Sequence, residues 1–243
     1  FADLAHNLTG AFYAKYCRVV NSRAFYANVK NGTTDLPHML VGSKLEDADN
    51  LSVSDRPAST LSLADPFYLL TPDLKPINGF EAAFGTFILS SSNGQLFRLQ
   101  GSNSFDFELE GFYQGSSVSG DEAIVNIGND LLLGLPARIE TLSGTLNYGD
   151  VENDDLSLWI APLIEDVTSW TTAYDRRRQK IFCFPNNQTN LYVLHKSMLD
   201  RAASNLGAEV SNAGVSPWSK WTTGHTIDFS PTTVMPMTNG TGG

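Results

Sequence analysis

The sequence predicts a mainly β fold, and three observations support that prediction. Short apolar runs alternate with polar residues at the period of a half-buried strand. Clusters of glycine, asparagine, serine and proline separate these runs at turn-like spacings. Hairpin-like units of this kind recur at residues 16–32, 84–101, 123–144 and 174–196. Their centres lie roughly 45 to 60 residues apart, close to the length of a four-stranded blade, so the sequence indicates a β-propeller-like array of antiparallel blades.

Each unit carries turn-forming residues at its predicted bends. The first unit bends at Asn21 and Ser22, and the second bends through a Ser-Asn-Gly sequence at residues 92–94. The third unit bends at residues 128–130, where the sequence is Gly-Asn-Asp. The fourth bends first at its three consecutive arginines and again at residues 185–187, which read Pro-Asn-Asn. These bends predict antiparallel strand pairs on either side of each turn.

Two stretches depart from the β pattern. Residues 154–170 are predicted to form a short amphipathic helix, capped by Asp154 or Asp155 and kinked at Pro162. Its apolar residues are spaced as on one helical face: Leu156, Ile160, Leu163, Ile164 and Val167. Residues 197–214 are also predicted to be helical, as an insertion on an exposed edge.

The length of the chain, 243 residues, lies within the range of one all-β domain, so a single domain over residues 1–243 is expected. Its end, at about residues 238–243, is expected to be flexible. The chain begins at Phe1 instead of a methionine, and we expect it to be a piece of a longer protein. The propeller-like array is therefore predicted to be incomplete or a fragment.

Composition narrows the function classes. The net charge of −10 and the isoelectric point near 4.7 disfavour sequence-independent binding to the phosphate backbone of nucleic acids. No apolar run reaches the length of a membrane span, so a soluble protein without a membrane-spanning segment is expected. Cys17 and Cys183 lie within apolar runs and are predicted to be buried free thiols.

The sequence lacks a recognisable catalytic or cofactor-binding motif. Residues 115–120, GSSVSG, have Ser119 where a nucleophile elbow needs its second glycine. The four histidines have no metal-binding spacing: His6, His38, His195 and His225. Residues 150–155, DVENDD, lack the glycine of an EF-hand loop and are interpreted as a solvated acidic loop that caps the following helix. We expect a protein that is not an enzyme, with no catalytic residues, no cofactor and no metal.

Aromatic and basic clusters near the end of the chain are the remaining candidates. In SPWSKWTT, Trp218 and Trp221 fall on opposite faces if the segment is extended, and Pro217 disfavours a helix there. The favoured interpretation is an edge strand with packed tryptophans, and the alternative is a platform on which sugars or nucleic-acid bases stack. The run from Arg176 to Arg178 is interpreted as a hairpin tip in solvent or, alternatively, as a contact with a partner subunit or with DNA that passes by.

Several segments in this order resemble the tail nozzle, or tail-tube stabilisation, proteins of short-tailed bacteriophages. Two strand-turn-strand segments in the first half of the chain, at residues 18–29 and 79–102, resemble strands of that family. The following segments continue the resemblance: IGNDLLLGLPARIETLSG (127–144), NDDLSLWIAPLIEDV (153–167), AYDRRRQKIFCF (173–184), NLYVLHK (190–196), SPWSKWTT (216–223) and SPTTVMPM (230–237). No single segment is specific, and the resemblance rests on their order across most of the chain.

The resemblance implies a structural virion protein. Such proteins form a six-copy ring below the portal and adaptor, shape and gate the terminal DNA-ejection channel, and contact adsorption fibres. It further implies assembly in the bacterial host cytoplasm, location in the phage tail, and passage of double-stranded DNA without specific binding. Structural roles are implied for Trp218, Trp221, Asp155 and Pro162, while Arg176 to Arg178 are candidates for partner or channel contacts. The sequence is shorter than a complete nozzle, and the insertion at residues 197–214 has no counterpart there.

A different class of function stays open at this stage. The alternative is a β-propeller module of a tail or cell-surface protein that recognises a host glycan through aromatic residues such as Trp218 or Tyr113.

A carboxylate-rich channel wall would repel DNA, which is compatible with the nozzle interpretation. A hydrolase is disfavoured because no pair of catalytic groups can be nominated.

Overall fold

A computed structural model describes residues 12–49, 51, 65–83, 85–120, 122–128, 130–145, 150–198 and 217–222. Within these residues the chain folds into four antiparallel four-stranded sheets, each a meander in sequence order. The predicted fold class, a mainly β, propeller-like array of antiparallel blades, is confirmed. The described part of the chain has no helix with the length and apolar character that crossing a bilayer requires. Two compact units divide the chain, Phe1–Val118 and Ser119–Gly243.

The first unit contains two sheets. Its strands are β1 Phe12–Val20, β2 Arg23–Asn31, β3 Thr34–Gly42, β4 Phe67–Leu70, β5 Ile77–Ala83, β6 Thr86–Ser91, β7 Gln95–Gln100 and β8 Glu108–Gln114. The predicted bend at Asn21 and Ser22 is confirmed, and both residues have positive φ, 51° and 60°. Positive φ at both central residues is the condition for a type I′ hairpin, whose twist matches that of the strands. The bend at residues 92–94 is confirmed too, between β6 and β7.

The core of the first unit lies between its two sheets and is rich in phenylalanine. The ring centroids of Phe25 and Phe87 are 4.4 Å apart, and those of Phe80 and Phe87 are 4.9 Å apart. Asn28 interrupts the pairing of β2 with β3 as a bulge with positive φ, and its side-chain amide donates to the Ile77 carbonyl at 2.8 Å. This bulge joins the two sheets by a polar contact beside their apolar core.

The second unit contains the other two sheets. Its elements are β9 Ile124–Asn126, β10 Asp130–Leu135, β11 Arg138–Thr145, β12 Asp150–Asp155, α1 Ala161–Ile164, β13 Trp170–Asp175, β14 Lys180–Pro185, β15 Asn190–His195 and β16 Trp218–Thr222. The predicted bends near residues 128–130, at the arginines and at residues 185–187 are confirmed, because each lies where one strand ends and the next begins.

A short crossing segment joins the two sheets of the second unit. The Ser119 amide donates to the Gly134 carbonyl of β10 at 2.9 Å, and the Trp170 amide of β13 donates to the Ser119 carbonyl at 2.7 Å. The indole of Trp170 is fully buried and donates to the Leu135 carbonyl at 2.8 Å. Gly120 has a φ of +126° and lies against the backbone of Trp170. Both sheets are thus tied to one backbone segment and one buried tryptophan.

The prediction of a helix over residues 154–170 is wrong. Asp150–Asp155 form strand β12, which pairs with β11 along its whole length, so this stretch is neither an acidic loop nor a helix cap. The helix is one turn, Ala161–Ile164, with Ile160 as an N-cap that makes no side-chain hydrogen bond. Pro162 lies in that first turn, where its missing amide hydrogen costs nothing, instead of kinking a longer helix. Pairing with β11 provides hydrogen-bond partners for the backbone N–H and C=O groups that would otherwise have been paired within a helix.

Two further predictions meet the structure in part. Cys183 is buried and Cys17 is exposed, and both are free thiols. The prediction for Cys17 is wrong because its side chain lies on the same face of β1 as the exposed Tyr13, Lys15 and Val19, opposite the buried Tyr16. Burial raises the pKa of the Cys183 thiol above its ordinary value. Partial desolvation raises the pKa of the Cys17 thiol as well, and the charge of Arg18 opposes that shift. The helical insertion predicted at residues 197–214 and the flexible end at residues 238–243 lie outside the described residues, apart from helical backbone through Met198.

Candidate functional site

The turn between β13 and β14 presents three arginines to solvent. Arg176, Arg177 and Arg178 are all exposed, as the hairpin-tip interpretation predicts. One carboxylate oxygen of Asp175 accepts from the backbone amides of Arg177 and Arg178, at 3.0 and 3.1 Å, and the Gln179 side chain donates to the Arg176 carbonyl at 2.7 Å. This segment, residues 176–179, is called the arginine turn below. Its backbone is held in place and its three arginine side chains are exposed, with the Arg178 guanidinium 3.8 Å from the Asp175 carboxylate.

The two tryptophans of β16 occupy opposite faces of an edge strand, as the alternation of an extended segment predicts. Trp218 is 8% exposed, and its indole donates to the Leu156 carbonyl at 2.8 Å. Trp221 is 47% exposed, with the Lys180 ammonium 5.7 Å from its ring centroid and the Phe182 ring edge-on to it at 6.3 Å. Trp218 therefore holds the outer strand in place, whereas Trp221 presents an aromatic surface.

The two tryptophans should respond differently to replacement by phenylalanine. Trp218→Phe keeps an aromatic ring but leaves the Leu156 carbonyl without its donor, which should lower the free energy of unfolding by about 1–2 kcal/mol. Trp221→Phe should change it by no more than about 0.5 kcal/mol, because the side chain is half exposed. Urea unfolding followed by far-ultraviolet circular dichroism measures both. Equal losses in the two variants would contradict these positions.

The connection between β12 and β13 exposes three large apolar side chains. Leu158 is 71% exposed, Trp159 is 59% exposed and Leu163 is 45% exposed. Together they are called the apolar tip. Ile160 and Ile164 alternate with them and are buried, so the connection is anchored by two isoleucines while its other apolar residues face water. A concentration of exposed apolar residues of this kind is typical of an interaction surface.

Hydrogen bonds fix the apolar tip to the turn between β14 and β15. The Leu163 carbonyl accepts from the Gln188 side chain at 3.0 Å and from the Tyr192 hydroxyl at 3.1 Å. The Gln188 amide also donates to the Asp166 carboxylate at 2.8 Å, and Asn187 donates to the Asp166 carbonyl at 2.6 Å. The apolar surface is consequently preorganised, which lowers the entropy that a binding partner must remove.

Acidic residues border the apolar tip. Glu165 and Asp166 are both exposed and follow α1 directly. They are called the acidic rim. An apolar patch with a rim of one charge favours partners of the opposite charge. Sequence analysis missed this surface because it placed Leu163 in the buried face of a helix. The available signal was that Leu158 and Trp159 lie outside that helical stripe although both are large and apolar.

The first unit has a cleft of its own at one end of its two sheets. The cavity measures about 440 Å³ and has apolar walls that include Phe25, Phe87 and Phe107. Arg23, which is 5% exposed, lies at the cavity, and its Nη1 donates to the carbonyls of Ser43 at 2.6 Å and Asp65 at 2.8 Å. Burial lowers the pKa of Arg23, and the charge of Asp65 opposes that shift. These contacts place Arg23 in a structural role.

The residues predicted to stack on a glycan, Trp218 and Tyr113, are not the aromatic residues with the most exposed rings. Trp218 is buried, and the hydroxyl of Tyr113 lies 2.4 Å from where a Cβ on Gly115 would be, so its ring packs over that glycine. Trp159 and Trp221 are the indoles with an open surface within the described residues. Among those same residues, no three histidine, cysteine, aspartate or glutamate side chains cluster as a metal site would require. Asp155 lies at the end of β12, and Pro162 is exposed in α1.

Comparisons with known proteins concern the fold. No family model and no curated protein matches the chain. It is similar to Hsv2 of Kluyveromyces lactis, at 11% identity and a TM-score of 0.42, over 73% of this chain and 54% of that one. It is also similar to the Cps50 (Swd1) β-propeller domain of Myceliophteria thermophila, at 11% identity and a TM-score of 0.41, over 73% of this chain and 64% of that domain.

A third similar structure is PorZ, a bacterial surface component of the type-IX secretion system of Porphyromonas gingivalis. The match has 9% identity and a TM-score of 0.41, and it covers 88% of this chain and 26% of PorZ. The chain thus spans less than two thirds of the length of each of these three structures.

Proposed function

We propose that this chain is a non-catalytic β-propeller-type module that binds another macromolecule through its second unit. The apolar tip is the observation that carries the proposal. Three large apolar side chains stay in solvent although the connection that bears them is anchored by buried isoleucines and by hydrogen bonds to a neighbouring turn. An exposed apolar surface costs free energy in water, and a partner that covers the surface removes this cost.

The assembly that we propose for this module is a tail structure of a short-tailed bacteriophage, with this chain as a nozzle subunit. Support for this finer assignment comes from the order of the resembling sequence segments alone. The preorganised arginine turn is compatible with a contact to a neighbouring subunit, because arginine pairs with carboxylates in a bidentate geometry. The net charge of −10 is compatible with a surface that DNA passes without adhering.

A glycan-recognition module is the second candidate, and exposed aromatic surface favours it. Trp221 is half exposed next to Lys180, an arrangement that suits stacking against a sugar ring with a hydrogen-bond donor beside it. If this surface binds a glycan, the glycan should raise the melting temperature of the native chain. Trp221→Ala should abolish that increase, whereas Trp159→Ala should preserve it.

Electron microscopy of the native assembly that contains this chain, classified without imposed symmetry, tests the proposal. We expect density from a neighbouring protein on the apolar tip. An axial channel that continues into a tail would add support for the nozzle assignment. A tip that faces solvent in every class, with the chain carrying a bound glycan at Trp221, would overturn the protein-binding proposal in favour of the second candidate.

A further inference from the structure

We infer that the apolar tip and acidic rim of one copy bind the arginine turn of a second copy of this chain, head to tail. The inference rests on the proposed function, since it names the partner of the surface that carries it. Three steps lead to it: the chemistry that the tip requires, the presence of that chemistry in the same chain, and the position of the two surfaces in the fold.

The tip and its rim together favour a guanidinium partner. Trp159 offers an indole face that is 59% exposed, and tryptophan is the best aromatic partner for a cation. Glu165 and Asp166, in the same connection between β12 and β13, supply exposed carboxylates, and that of Asp166 also accepts from Gln188. Arginine suits both the indole face and the carboxylates, because its planar guanidinium stacks on aromatic rings and pairs with carboxylates in two parallel hydrogen bonds. The aliphatic part of an arginine side chain also covers apolar surface such as that of Leu158.

The chain itself carries a matching group. Residues 176–178 are its longest run of basic residues, in a sequence with 16 basic and 26 acidic side chains. All three arginines are exposed, and the turn beneath them is fixed by Asp175 and Gln179. Two copies with a net charge of −10 each repel one another over most of their surfaces. Contact between the arginine turn and the acidic rim reverses that repulsion locally and so selects one orientation.

The two surfaces lie at opposite ends of β13. The apolar tip and acidic rim precede its first residue, Trp170, and the arginine turn follows its last residue, Asp175. A strand of this length spans roughly 17–20 Å, so neither surface reaches the other within one copy. Contact between two different surfaces of identical chains is heterologous, and each added copy leaves one tip and one turn available. Head-to-tail contact therefore builds a ring or a filament instead of a closed pair.

Two variants of the full chain separate these surfaces. The tip variant is Trp159→Ala with Glu165→Gln, which leaves the Asp166 carboxylate and its hydrogen bond from Gln188 in place. The turn variant replaces Arg176, Arg177 and Arg178 with glutamine. All five positions are exposed, so both variants should keep the wild-type far-ultraviolet spectrum and melting temperature. A control variant, Lys30→Gln with Asp35→Asn, removes an exposed ion pair in the first unit.

Sedimentation velocity over a range of concentrations is the measurement. Wild type and the control variant should form species larger than the monomer, more at about 50 mM than at about 500 mM salt. The tip variant alone and the turn variant alone should stay monomeric. An equimolar mixture of the two should give a species of twice the monomer mass and nothing larger. The intact tip and the intact turn of each mixed pair bind each other, so only the substituted tip and the substituted turn stay free.

Three results would overturn the inference. The first is a wild-type chain that is monomeric at every concentration and at low salt. The second is a tip or turn variant that associates as the wild type does. The third is a mixture of the two variants that stays monomeric while the wild type associates. None of these results concerns the native assembly, where a different protein on the apolar tip would still support the proposed function.

Discussion

Replacing Gly120 with alanine should destabilise the second unit by about 4 kcal/mol or more. A Cβ at this position would lie 1.9 Å from the Trp170 carbonyl oxygen and 2.9 Å from the Trp170 backbone nitrogen. Both neighbours are backbone atoms of β13, so no side-chain rotation relieves the clash. The shift would break the hydrogen bond from the Trp170 amide to the Ser119 carbonyl, which joins the crossing segment to the sheet that contains β13. Tryptophan fluorescence during urea unfolding measures the loss.

Gly128→Ala is the matched control for that experiment. Gly128 also has positive φ, +105° compared with +126° at Gly120, but nothing lies within 4 Å of the position of its Cβ. Its replacement should therefore cost only the conformational strain of a left-handed alanine, about 1–2 kcal/mol. The difference between the two variants isolates the backbone contact. Equal losses, or a Gly120→Ala chain as stable as wild type, would contradict the close approach of the two segments.

Replacing Arg23 with methionine should destabilise the first unit by about 3 kcal/mol. The side chain is 5% exposed, and its Nη1 donates to the carbonyls of Ser43 and Asp65. Its guanidinium carbon also lies 5.3 Å from the ring centroid of Phe67 and 5.9 Å from that of Phe107. Methionine fills a similar volume, so most of the expected loss comes from two carbonyl groups left without this donor and from the lost cation–π contacts.

Arg98→Met provides the comparison in the same unit. Arg98 pairs with Glu110 at 2.6 Å across two neighbouring strands, and its side chain is 28% exposed. Pairs of this kind contribute about 0–1 kcal/mol, so this variant should stay within about 1 kcal/mol of wild type. Thermal unfolding by differential scanning calorimetry gives both values. A loss at Arg23 no larger than that at Arg98 would show that Arg23 does not organise the end of its two sheets.

Turn chemistry made much of the fold predictable. Asn21 and Ser22 tolerate positive φ, and a hairpin whose bend is only two residues long leaves little choice of strand register. The bends near residues 92–94 and 185–187 follow the same local rules, which is why they were located from sequence. The four-stranded sheets then follow from strand lengths and spacing, because neighbouring strands in sequence pair as meanders.

Burial was less predictable, because it depends on what packs from elsewhere in the chain. The spacing of apolar residues over 154–170 suits a helix, yet β11 offers Asp150–Asp155 a complete set of backbone partners, and a strand forms instead. Cys17 lies in an apolar run, but its side chain is on the face of β1 that no other element of the described residues covers, whereas its neighbour Tyr16 on the other face is buried.

By itself, the sequence determined the antiparallel blades, their bends and the opposite orientation of Trp218 and Trp221, because alternation and turn conformation are properties of a few consecutive residues. The tertiary structure alone decided which of the two tryptophans is buried, through the hydrogen bond from Trp218 to Leu156. It also decided that Leu158 and Trp159 face water. Neighbours distant in sequence make these choices, since a face is buried only where another element covers it.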